Sequence, residues 1–85
     1  MRYETNRTLD PMAALYTARL CNVRALAAKE GGLVALANKL GCDQASMSRL
    51  IGKNPSRNIT ERTARKIETH FALPIGSLDL MRAAA

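Results

Sequence analysis

Two short apolar stripes at helical spacing, joined by a glycine-marked turn, constrain what this chain can fold into. Leu33, Leu36, Ala37 and Leu40 fall at i, i+3, i+4 and i+7, which puts all four on one face of a two-turn helix. Gly41 follows, free to take the left-handed backbone that a tight helix exit requires. Asp43 then offers an oxygen to cap a second helix, with Met47, Leu50 and Ile51 as its buried stripe and Gly52 at its end. Ala37 is small where the second helix would cross, and three or four residues separate the two helices. That is the spacing of a helix-turn-helix running from Leu33 to Gly52. The seam of Leu36, Leu40, Met47 and Leu50 leaves Gln44, Ala45, Ser46, Ser48 and Arg49 facing outward.

The remaining sequence supplies helices to pack against this pair. Asp10-Pro11 reads as an N-cap followed by proline at the first helical position, where a missing N–H costs nothing. Leu15, Tyr16, Leu20, Val23, Leu26 and Ala27 then recur at three- and four-residue steps until Gly31-Gly32 stops the helix, giving a span of about 11–30. Arg19 and Arg24 are expected to face solvent. Lys53 to Ile59 shows no apolar period and reads as a loop. Thr60 can cap a further helix whose apolar face is Ala64, Ile67 and Phe71, with Arg62, Arg65 and Lys66 on its solvated side. Leu73-Pro74 ends that pattern, and Pro74 can open a last short helix carrying Ile75 and Leu78.

Eighty-five residues suffice for one small domain, and 47% hydrophobic against only 4% aromatic content suits Leu-, Ala- and Ile-faced helices better than sheet. The expected fold is all-α, a compact bundle of five helices over residues 10–80, preceded by an arm at 1–9 and followed by a tail at 81–85.

The charge is uneven. The formal net charge is +6, and between Gln44 and Lys66 stand Arg49, Lys53, Arg57, Arg62, Arg65 and Lys66 against Glu61 alone. Such a concentration produces a local positive field suited to nucleic acid. The outward residues of the second helix suit a DNA groove: Gln can bond the adenine edge in two places, Arg the guanine edge, Ser several bases, and Ala can touch a thymine methyl. Lys53, Asn54, Arg57 and Asn58 follow that helix directly, where side chains and loop amides could meet phosphate, with Arg62 in the next helix's first turn close behind.

Other functional classes find little support. No apolar run approaches the length that crosses a bilayer and the polar start has no signal-peptide core, so a cytoplasmic, nucleoid-associated protein with no membrane role is expected. Cys21 and Cys42 read as reduced, half-buried small hydrophobes. With His70 they form no metal-ligand spacing, and His70 near a helix end suits the helix dipole. No cofactor, small-molecule ligand or catalytic motif is expected, and the chain is small for an enzymatic cleft. RNA recognition is disfavoured by scarce stacking residues, only Tyr3, Tyr16 and Phe71. The alternative from a different class is a protein-interaction module, such as an antitoxin-like partner-binding domain, which an exposed apolar groove would favour.

ALANKLGCDQASMSRLIG, followed by KNPSRNITERTARKIE and FALPIGSLD, resembles the phage lambda repressor and Cro type of helix-turn-helix domain found in many bacterial and prophage regulators. The likeness runs from about Leu20 to Asp79. It implies a transcriptional regulator, of the repressor kind, that reads double-stranded DNA as a homodimer on a pseudo-palindromic operator, with half-sites about 34 Å apart. By match, Gln44, Ala45, Ser46 and Ser48 read bases, with Arg49 on a base or a phosphate. The family's dimer surface near the last helix maps to Ile75, Leu78, Leu80 and Met81. Members commonly carry a glutamine where Leu33 stands, bracing the reading glutamine and touching phosphate. Leu33 cannot make those bonds, which leaves either another brace for Gln44 or a phosphate contact from Gly32 and the helix N-terminus alone.

Overall fold

The computed structural model describes residues 11–80, Pro11 by its backbone alone. The arm at 1–9, the proposed cap Asp10 and the tail at 81–85, including Met81, lie outside them. Four helices make up the described residues, with no strand among them: α1 Pro11–Glu30, α2 Leu33–Leu40, α3 Gln44–Ile51 and α4 Glu61–His70. A single 3₁₀ turn, Ser77–Asp79, follows. The all-helical expectation stands, but the fifth helix does not form. Pro74 opens no helix because Gly76 two residues later takes a left-handed backbone (φ 89°), and the only helical hydrogen bonds left are those of tight turns.

Each helix ends where the sequence places a residue able to leave it. Gly31 and Gly32 close α1 with φ of 110° and 117°, and the Gly32 amide turns back to the Ala27 carbonyl at 2.7 Å. Gly41 exits α2 at φ 76°, while the Cys42 amide donates to the Ala37 carbonyl at 2.9 Å, the Schellman closure that satisfies a carbonyl the helix would leave unpaired. Thr60 caps α4, its hydroxyl accepting from the Thr63 amide. The exit from α4 is less comfortable: Ala72 holds φ 55° where glycine is usual, closed by the Leu73 amide on the Glu68 carbonyl at 2.8 Å.

α1 is the platform. It packs against α2, α3 and the terminal turn, while α2 packs on α3 and α4 on the terminal turn. The core joins Val23 and Ala27 of α1, Leu36, Ala37 and Leu40 of α2, Met47 and Ile51 of α3, Ala64 and Ile67 of α4, and Ile59 and Leu78 from the connecting segments. Full burial of a side chain such as Leu36, Met47 or Ile67 contributes about 1.5–3 kcal/mol, so this cluster supplies most of the cohesion. Leu50 and Phe71, expected in the buried stripes, are half-buried and pack at the core's edge. Ile59 was expected in the loop but is 1% exposed, because it ends the loop by inserting into the core. No helix among the described residues is long and apolar enough to cross a membrane.

Two charged groups lie inside. Arg19 is buried, not solvent-facing: its Nε and Nη2 donate to the Asp79 carboxylate at 2.7 and 3.3 Å, and its Nη1 to the Ile59 carbonyl at 2.9 Å. Arg65, expected on the solvated face of α4, shares Asp79 Oδ1 at 2.7 Å. Glu68 is fully buried and accepts the Gly76 and Leu78 amides, one on each carboxylate oxygen. The terminal turn is therefore held by ions as well as by Leu78, which accounts for its position without a fifth helix.

Candidate nucleic-acid interface

The helix-turn-helix is built from α2, the three-residue turn Gly41 to Asp43, and α3. Ala37 is 1% exposed at the crossing, and Leu36 and Met47 are fully buried beneath it, so the angle of α3 is set by tightly packed side chains. Asp43 occupies the N-cap position of α3 with extended backbone, yet its carboxylate is engaged chiefly by the Ser46 hydroxyl instead of a formal cap bond. That contact holds the Asp43 carboxyl below its usual range, with the Ser46 amide and the Arg49 guanidinium adding to the effect.

Of the five residues expected to face outward on α3, Gln44, Ala45, Ser48 and Arg49 are exposed. Ser46 is half-buried. Lys53, Asn54, Arg57, Asn58 and Arg62 are all exposed.

The loop after α3 does not wander from it. The Ser56 and Arg57 amides both donate to the Arg49 carbonyl, at 2.9 and 3.1 Å, so the chain folds back against the C-terminal end of α3. At its start, Gly52 lies so near the preceding turn that an added Cβ would sit 2.4 Å from the Ser48 carbonyl oxygen. At its end Ile59 is anchored in the core. A basic segment is thereby fixed at the C-terminal end of α3 at three points. The side chains of Lys53, Arg57 and Arg62 form no ion pair or hydrogen bond among the described residues, whereas Arg19 and Arg65 are paired with Asp79 and Lys39 with Glu30.

Arg24 is exposed, as expected, but its side chain is also bonded to the end of α3. From α1 its Nε donates to the Ile51 carbonyl at 3.1 Å and its Nη2 to the Gly52 carbonyl at 2.6 Å. Sequence pattern alone missed Arg24, Arg19 and Glu68. The one available signal was position: Arg19 falls between Tyr16 and Val23 in the apolar pattern of α1, and Glu68 stands four residues after Ala64 and next to Ile67.

The residues assigned to a dimer surface divide. Ile75 and Leu80 are 70% and 64% exposed, but Leu78 is 4% exposed and belongs to the core, because the 3₁₀ turn points it inward against α1. Met81 is outside the described residues. An open groove of about 510 Å³ beside this segment is lined by Cys21, Leu26, Leu73, Pro74 and Leu78 among others. Cys21 is exposed and Cys42 half-buried, both free thiols. His70 is exposed and meets Phe71 edge-on at 5.0 Å between ring centres. No group of three or more His, Cys, Asp or Glu side chains able to hold a metal occurs among the described residues. Comparison of the chain with protein-family models, with curated proteins and with solved structures returns no match.

Proposed function

We propose that this chain is a sequence-specific double-stranded DNA-binding transcriptional regulator, of the phage or prophage repressor kind, that reads the major groove with α3 as a homodimer. The observation that carries the reading is the tethering of the basic loop to Arg49: two backbone amides hold Arg57 and its neighbours at the C-terminal end of the helix that exposes Gln44, Ala45, Ser48 and Arg49. A helix two turns long with short polar side chains outward fits the width of the major groove, and flanking cations without internal partners suit the phosphates on either side.

In this reading Gln44 and Arg49 contribute the base-specific bonds, Ala45 and Ser48 the close contacts, and Ser46 a lesser share because it is half-buried. Lys53, Asn54, Arg57, Asn58 and Arg62 set register on the backbone. Ile75 and Leu80 are the remaining candidates for the contact between two copies, since their exposed apolar surface would be covered there. That same apolar segment and groove would serve a different protein partner if the chain were an interaction module.

Selection of bound sites from a random duplex library tests the proposal. A palindromic consensus with half-sites about one helical turn apart is the expected result. Binding with no enrichment over random duplex would overturn sequence-specific reading.

A further inference from the structure

We propose that Arg24, on a helix that does not itself form the reading surface, is a positioning residue for α3; the inference rests on the DNA-reading role given to that helix above. α3 is eight residues long and buries only Met47 and Ile51 fully, with Leu50 half-covered. Side chains on one stripe resist separation of a helix from its support better than they resist its roll about its own axis. Directional bonds to the backbone at the helix end restrain that roll, and Arg24 supplies two of them: a planar fork bonded to the consecutive carbonyls of Ile51 and Gly52 from 27 and 28 residues away.

The rest of the last turn is fastened from the other side. The Ser48 carbonyl takes the Gly52 amide, and the Arg49 carbonyl takes the amides of Ser56 and Arg57. Carbonyls that end a helix usually face water. Here those of Ile51 and Gly52 are held by α1, and that of Arg49 by the basic loop. Rotation of α3 would break the fork and shift the loop with it, so Arg24 couples the bearing of Gln44 and Arg49 to the placement of Lys53 and Arg57. Its positive charge at a helix C-terminus also meets the negative end of the helix dipole.

The test uses Arg24→Lys, which keeps the charge but cannot span both carbonyls, and Arg24→Gln, which removes the charge. Duplex affinity is measured for the site recovered by selection and for random sequence, across a salt series, and amide hydrogen exchange is followed in the free chain. Arg24→Lys is expected to lower the ratio of selected-site to random affinity about tenfold while leaving random-duplex affinity and the salt slope as they were. The Gly52, Ser56 and Arg57 amides are expected to exchange faster in both variants, while those of Ala64 and Phe71 in and beyond α4 keep wild-type rates. An unchanged ratio in Arg24→Lys overturns the proposal. So does equal loss on both duplexes with a flattened salt slope in Arg24→Gln, which would make Arg24 a direct phosphate contact. Faster exchange throughout α4 would make it a general stabiliser and overturn positioning too. If the wild-type chain selects no site, the DNA reading fails, and the exchange pattern alone decides whether Arg24 holds the end of α3.

Discussion

Arg19 and Asp79 stand sixty positions apart in the chain and meet at 2.7 Å, joining the middle of α1 to the last helical turn. Arg65 converges on the same carboxylate and Glu68 holds the amides just before it, so the end of the described chain is fixed by one carboxylate between two guanidinium groups. The Arg19 hydrogen bond, and after it that of Arg65, keep the Asp79 carboxyl below its ordinary value of 3.8 against the opposing effect of burial.

A depressed carboxyl pKa stabilises the fold above the unfolded value, and that stabilisation is lost as pH falls through the lower, folded value. Asp79→Asn should therefore lose about 3 kcal/mol at pH 7, since it leaves a buried Arg19 charge without its partner. Thermal melts should show that the gap between variant and wild type is widest near neutrality and shrinks below about pH 4, as wild-type Asp79 takes up its proton. A gap that stayed constant down to pH 2 would contradict the role of the Asp79 charge.

Gln44→Ala should weaken binding to the selected site by about 1–3 kcal/mol and leave random-duplex binding nearly unchanged. Fluorescence anisotropy with the two duplexes checks this. Equal losses on both would remove Gln44 from base reading.

Arg57→Ala should weaken binding to every duplex and flatten the plot of log affinity against log salt by about 0.9, one phosphate contact. An unchanged slope would take Arg57 out of the phosphate set.

Ala72→Gly should stabilise the chain by about 1 kcal/mol, because an L-residue held at a left-handed backbone carries about that much strain. Chemical denaturation gives the shift in midpoint. A loss of stability would mean that the alanine methyl group contributes more than its backbone strain costs.

The helix-turn-helix was legible because periodicity and glycine act locally. Leu33, Leu36, Ala37 and Leu40 announce a face, and Gly41 announces its end, whatever the rest of the chain does. The basic loop was legible as a loop but not as a tethered one, since Ile59 looks like any isolated apolar residue until a core is there to receive it. The burial of Arg19 and Glu68 and the bonds made by Arg24 escape the sequence pattern for a related reason. A charge can be buried, or bonded to a helix end, only if its partner is brought near by tertiary structure, and those partners lie 60, 27 and 10 residues away. The missing fifth helix belongs here too: Pro74 is a valid helix start, but Gly76 and the Glu68 carboxylate draw the following amides elsewhere.

Surface loops commonly absorb inserted residues at little cost. The stretch between Gly52 and Ile59 has no such freedom, because its entrance is closed by the Ser48 carbonyl, its middle is tied to Arg49 and its exit is sunk in the core. Its length works as a ruler. If these cations meet the phosphates of a duplex as proposed, one extra residue would move each cation after it out of step with a lattice of charges whose repeat the protein does not set, so variation among chains of this design should be found in the identity of those six positions and not in their number.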